Sequence, residues 1–148
     1  MFQNPDDQTI RRLLESVRRI AVVGLSPQPD RDSHRVARYL QSHGYEIVPV
    51  YPREEEILGR KVYRRVQEIP DGVDLVDVFR RSEDLPAVTE DVLAGRTRAL
   101  WFQLGCVSEA AAERARAAGL TVVMDRCTKI EHGRLLGQGW NRQGGAGA

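Results

Sequence analysis

The tetrapeptide Gly24-Leu25-Ser26-Pro27 follows the apolar run Ile20-Ala21-Val22-Val23 and precedes a helix expected to begin near Ser33. A buried strand, a glycine turn and a helix N-terminus form an anion cradle, because the turn's N–H groups and the positive helix end both attract phosphate. The Ser26 hydroxyl adds a side-chain donor. The turn departs from the dinucleotide fingerprint: where G-x-G-x-x-G has three glycines, this chain has Gly24, Ser26 and Pro29. The stretch Gln28-Pro29-Asp30-Arg31-Asp32 lengthens the loop, and Arg31 or Arg35 can contribute charge to it. The pattern points to a phosphorylated nucleotide other than NAD.

A second group of residues, Val50-Tyr51-Pro52-Arg53, argues the same way. Dinucleotide enzymes place an acid at the end of the second strand to accept hydrogen bonds from ribose. A cation there is better suited to an extra phosphate, and NADP, whose 2′-phosphate also attracts Arg, is the alternative reading. The plainer reading is an extended turn fixed by Pro52. The third group is Phe79-Arg80-Arg81. An adenine beside Phe79 with Arg80 on a phosphate fits these residues. So does a core-capping Phe79 with arginines paired to Glu83 or Asp84.

Catalytic chemistry is not legible. Cys106 and Cys127 follow adjacent predicted strands, but strand-end cysteines commonly serve as small apolar residues, and two sulfurs without a histidine pattern make no zinc site. His34, His43 and His132 are scattered, and no Ser/His/Asp, Cys/His or paired-carboxylate arrangement is present. Asp125 is the one rim carboxylate singled out, its plain reading an ion pair with Arg126. Neither catalytic residues nor a metal site are expected.

The elements that must position these groups alternate. Ile10, Leu13, Leu14 and Val17 fall at helical spacing behind Asp6 or Asp7 as cap. Strands are predicted at 20–23, 46–50, 75–79, 99–102 and 120–123, with a further short strand at Lys61–Tyr63. Between them lie helices at roughly 33–43, from Ser82 to about Ala94, and after Ser108 to Gly119; a final helical turn is expected at 125–131. Short apolar strands alternating with helices imply an α/β fold, a single doubly wound Rossmann-like domain with a mainly parallel five-stranded sheet and helices on both faces. The simplest winding is the order 3-2-1-4-5, with ligands at the switch point between the first and fourth strands. Residues 1–140 form that domain, and 141–148, ending Gly-Gly-Ala-Gly-Ala, are expected to be a flexible tail.

Composition sets the outer limits. The 148 residues suffice for one domain, and 22 basic against 21 acidic residues leave no global field for nucleic acid. No apolar stretch reaches the roughly 18 residues of a membrane span, the N-terminus lacks the order of a signal peptide, and two cysteines make no disulfide framework. A cytoplasmic protein is expected. Twenty of the 22 basic residues are Arg, whose planar fork suits phosphate.

Several ordered motifs resemble one family. Ile20 to Pro27, Gly44-Tyr45, Val48-Pro49-Val50-Tyr51-Pro52, Ile57-Leu58-Gly59, Leu100 to Gly105 and Val123-Met124-Asp125-Arg126-Cys127 look like the stand-alone CoA-binding domain proteins. These are similar to the N-terminal domain of the succinyl-CoA synthetase α subunit and of ADP-forming acyl-CoA synthetases. The resemblance spans about residues 16–136 and implies coenzyme A, or an acyl-CoA, on the strand-end rim. The contacts it implies are Gly24, Leu25, Ser26 and Pro27, then Pro52 and Arg53, then Phe79, Arg80 and Arg81, with Arg35 added from the charge reading. The synthetases also use a phosphorylated His and nucleotide-grasp parts that this chain does not contain, so the expected role is binding or regulation without ligase activity. Two other readings stay open: an NADP-binding oxidoreductase or nucleotide sensor, and an interaction module for a synthetase-like partner.

Overall fold

Five short runs rich in Val, Ile, Leu and Ala form a parallel sheet buried on both faces, which is why they read as nearly continuous apolar stretches. The computed structural model describes residues 1–142 and the backbone of 145–146. The main strands are β1 (Arg19–Val23), β2 (Glu46–Val50), β5 (Leu75–Val78), β6 (Ala99–Phe102) and β7 (Thr121–Met124). A small antiparallel hairpin, β3 (Glu56–Ile57) with β4 (Arg60–Lys61), turns through Leu58 and Gly59, both at positive φ. Of the single strand expected at Lys61–Tyr63, Lys61 belongs to this hairpin and Tyr63 forms an isolated bridge with Val50.

Alternation along each strand divides the core. Val23, Val50, Val76, Val78, Leu100 and Phe102 pack under α3 (Leu85–Ala94) and α4 (Glu109–Ala117). Ile20, Val22, Ile47, Leu75, Trp101 and Val123 pack under α1 (Asp7–Ser16) and α2 (Asp32–Ser42), with α5 (Thr128–Leu135) alongside. Local signals behave as the residues dictate at two helix starts. The Asp6 carboxylate accepts from Thr9 N–H at α1, and Ser108 Oγ accepts from Ala111 N–H at α4. They fail at α3: Ser82–Asp84 form a single 3₁₀ turn without a side-chain cap, because the Asp84 carboxylate is turned toward arginines. Helix α5 begins three residues later than the expected turn at 125 and runs to Leu135.

The strand order is β2-β1-β5-β6-β7. In chain order of the five main strands this is 2-1-3-4-5, a correction to the expected 3-2-1-4-5. The doubly wound class stands, but the third strand is interior and the second is at the edge. Pro49 supplies the physical reason: it has no N–H, so β2 cannot sustain a ladder on both sides and suits an edge. The switch point moves accordingly and lies between β1 and β5.

Register brings the strand ends level. Val23 is paired with Val50 on one side and Val78 on the other, Val78 with Phe102, and Phe102 with Met124. The loops that follow therefore leave the sheet in one row. The opposite edge is closed by Asn4, whose side chain both donates to the Met124 carbonyl (2.9 Å) and accepts from its N–H (2.8 Å).

The expected flexible tail begins with contacts. Arg142 N–H donates to the His43 carbonyl and its Nε to the Val17 carbonyl, and β8 (Trp140–Asn141) pairs with β9 (Gly145–Ala146). Residues 143–144 and 147–148 of that expectation lie outside the described residues.

Candidate functional site

A cleft of about 1290 Å³ opens along this row of strand ends. Its middle is the switch point. Gly24 N–H donates to the Val50 carbonyl (2.9 Å) and Phe79 N–H to the Val23 carbonyl (2.8 Å), so the backbone of β1 runs on tightly between its two neighbours. Gly24 sits at φ +83, and a Cβ there would stand 2.2 Å from the Phe79 carbonyl oxygen. Only glycine fits, for two independent reasons.

The turn after β1 is held from α2. Ser26 N–H donates to Ser33 Oγ (3.0 Å), His34 Nδ1 donates to the Ser26 carbonyl (2.9 Å), and Ser26 Oγ accepts from Gln28 N–H (3.1 Å). Thus the Ser26 N–H expected to meet a phosphate is already engaged. What the turn presents instead is the Ser26 hydroxyl and the start of α2. Arg31, the N-cap residue, makes no side-chain capping bond, so the positive helix end is uncapped beside Asp32 and Ser33 on the cleft wall.

Of the ten residues expected at the site, the cleft gathers seven: Gly24, Ser26, Arg35, Pro52, Phe79, Arg80 and Arg81. Leu25, Pro27 and Arg53 are not on its wall. Leu25 is fully buried in the α1–α2 core, the common fate of an apolar residue directly after a strand. Arg53 lies over the Tyr51 ring, its guanidinium carbon 5.6 Å from the centroid.

Seven cations and three carboxylates line the cleft. Arg35 is paired with Asp32, Arg65 with Asp91 (2.8 Å), and Arg80 and Arg81 converge on Asp84 (3.3 and 3.2 Å). The Arg81 hydrogen bond holds the Asp84 carboxyl below its ordinary range. Arg64 donates to the Tyr51 and Glu54 carbonyls, stiffening the turn after β2. Arg31 has no ion-pair partner among the described residues, and Lys129 lies over the Tyr39 ring at 5.4 Å. Arg64, Arg65 and Lys129 were not singled out from the sequence. The Arg64-Arg65 doublet is a visible signal, but only the β3–β4 excursion brings it back to the β2 end.

Gln103 on the cleft wall belongs to a buried polar knot. Asp77, fully buried on β5, accepts at Oδ2 from Thr128 Oγ1 (2.9 Å) and Gln103 Nε2 (3.3 Å), and Thr128 N–H donates to Gln103 Oε1 (3.2 Å). Asp77 Oδ1 has no hydrogen-bond partner among the described residues. Burial outweighs those two hydrogen bonds and pushes its pKa up to about 7. Gln103, Cys106 and Cys127 line the cleft near this knot, and burial raises both thiols above their ordinary range. Raised thiols are poor nucleophiles. Asp125, expected in an ion pair with Arg126, instead accepts from Gly105 N–H (2.8 Å), while Arg126 faces Glu131 at 3.8 Å. The histidines stay apart from the cleft wall: His132 is buried against Tyr39, and His43 packs on the same ring. No helix among the described residues is long and apolar enough to cross a membrane.

A family model described as a CoA binding domain matches residues 18–133. The uncharacterized protein YneT of Bacillus subtilis is 46% identical over 131 residues, 88% of this chain and 97% of that protein. A hypothetical protein from Pyrococcus horikoshii OT3 superposes with a TM-score of 0.86 at 38% identity, covering 93% of this chain and 99% of the other. The α subunit of the ADP-forming acetate–CoA ligase II of Pyrococcus furiosus is 44% identical over 59 residues, 39% of this chain but only 13% of that subunit.

Proposed function

The chain belongs to the CoA-binding domain family, and from that membership we propose that the strand-end cleft binds coenzyme A or an acyl-CoA. The role is binding or regulatory. The observation that carries this reading is the uncapped start of α2 at the β1 turn, facing a wall of arginines at the switch point. A diphosphate suits the helix end and the Ser26 hydroxyl, each helix-terminus contact adding about 0.3–1 kcal/mol. A further phosphate suits the arginine fork, where charge-assisted bonds are roughly twice as strong as neutral ones. Arg31 is the first choice for it, because no carboxylate competes for its guanidinium among the described residues. The end of β2, Val50-Tyr51-Pro52, offers no acid for the hydroxyls of an NAD ribose.

No thioester chemistry is assigned to the cleft on this reading. Burial raises both thiols on the wall above their ordinary range, and Asp77 is fully buried and is not on the wall. The Pyrococcus furiosus ligase subunit is a protein of which the matched segment is only 13%, and its activity is not carried over to this chain. Calorimetric titration with CoA, acetyl-CoA, NAD and NADP tests the proposal. Saturation by CoA or acetyl-CoA is expected; saturation by NADP alone transfers the site to an oxidoreductase or sensor. Binding of none of the four leaves the interaction-module reading.

A further inference from the structure

The cleft is not uniform along its length. Its β2 end and middle carry Arg31, Arg35, Arg64, Arg65, Arg80 and Arg81, whereas the β6–β7 end carries Leu104, Cys106, Cys127 and Ile130. Apart from the terminal Met1, the exposed large apolar residues among the described residues are Leu104 (64%), Val107 (43%) and Ile130 (57%). All three are on the loop after β6 or the first turn of α5, and two of them, Leu104 and Ile130, line the cleft at that end. Single exposed apolar residues need no explanation, but a cluster on a cleft rim does.

The exposure is built into the backbone. Gly105 N–H is held by the Asp125 carboxylate, the Gly105 carbonyl accepts from Ser82 Oγ (3.3 Å), and Val107 N–H donates to the same Ser82 Oγ (3.0 Å). Three hydrogen bonds hold the loop where Leu104 and Val107 are exposed. Both cysteines at this end are neutral and act as small apolar surfaces. Lys129 is the one cation there, and its ammonium is occupied by the Tyr39 ring.

Resting on the CoA reading of this cleft, we propose that its ligand is a thioester carrying an apolar acyl chain, with the phosphates among the arginines and the chain over Leu104, Ile130 and the two thiols. Charge complementarity along the groove selects such an occupant: polyanionic at one end, uncharged and apolar at the other. Free CoA would leave the lip bare. Burying about two methylenes of the chain is worth roughly tenfold in affinity.

Calorimetry with CoA, acetyl-CoA and octanoyl-CoA tests this on the wild-type chain and on a Leu104→Asn, Ile130→Asn double variant. Octanoyl-CoA is expected to bind roughly tenfold or more tighter than acetyl-CoA, and that ratio is expected to approach one in the variant. The ratio within each protein cancels any general weakening of CoA binding. If acetyl-CoA and octanoyl-CoA bind equally to the wild type, this inference falls and the CoA reading stands. If no CoA species binds, the CoA reading fails with it. A wild-type dimer that the double variant dissociates, with the acyl ratio unchanged, identifies the lip as a contact between copies and overturns the acyl assignment. Should the pair of substitutions disturb folding, judged by circular dichroism, Ile130→Ser alone carries the same comparison.

Discussion

Gly24 and Phe79 are locked together: a Cβ on Gly24 would stand 2.2 Å from the Phe79 carbonyl oxygen, at a residue whose φ is already +83. This contact is where β1 and β5 leave the sheet side by side, at the switch point.

Gly24→Ala is therefore expected to cost roughly 2–4 kcal/mol, the sum of left-handed strain and a backbone clash that no rotamer relieves. Gly119→Ala is the matched control, with φ +98 but open space around its Cβ, and is expected to cost about 1 kcal/mol. Urea unfolding of both variants checks this. Equal losses would show that φ alone, not the approach of Phe79, demands glycine at the turn.

Asp77 and His132 give the protein two opposed pH dependences. Burial holds the Asp77 carboxyl up at about 7 against an ordinary 3.8, so the folded chain binds the extra proton. The stability it contributes is full below about pH 4 and is lost as pH rises toward 7. Asp77→Asn keeps an oxygen for Thr128 and Gln103 and removes the titration. Its stability relative to wild type is expected to rise, by a few kcal/mol, between pH 4 and 7 in urea titrations. A flat difference would mean that Asp77 is ionised throughout.

His132 works in the other direction. It is fully buried, its Nδ1 bonded to the Tyr39 hydroxyl at 2.8 Å, and burial depresses its pKa from 6.5 to about 4. The unfolded chain takes up the proton first, so stability is lost as pH falls from 6.5 toward 4. His132→Phe is expected to gain on wild type across that window. Histidine proton resonances followed by NMR give the direct check, and an ordinary midpoint near 6.5 for His132 would sink the argument.

Among the cleft arginines, Arg31→Ala is expected to weaken CoA about tenfold and dephospho-CoA much less, because Arg31 is on the wall and has no ion-pair partner among the described residues. Arg53→Ala is expected to lose less, since that side chain lies over Tyr51 outside the wall. Titrations with both ligands decide between them. A larger loss at Arg53 would put the 3′-phosphate where the end of β2 first suggested it.

The strands and helices were legible because each rests on short-range chemistry. Asp6 and Ser108 cap helices three residues away, and buried parallel strands must be apolar on both faces. The class of the fold followed from that alternation alone. Ser82–Asp84 misled as a cap because Arg80 and Arg81, an equally local feature, outbid the helix end for the Asp84 carboxylate. Pro49 was a readable sign that β2 is an edge, and the expected order overlooked it.

By itself, then, the amino-acid sequence determined the alternation of elements, the glycine turn after β1, and the placing of Ser26, Pro52, Phe79 and the arginines at strand ends. Tertiary structure alone decided the rest. Strand order set the switch point between β1 and β5, and the common register brought Val50, Val23, Val78, Phe102 and Met124 level so that five loops share one rim. It also sent Leu25 into the core, turned Arg53 onto Tyr51, and returned Arg64 and Arg65 to the cleft through the β3–β4 hairpin. Local propensity acts over a few residues, whereas the side-chain directions at a rim depend on which strands are neighbours, and that is settled only when the whole sheet closes on its two cores.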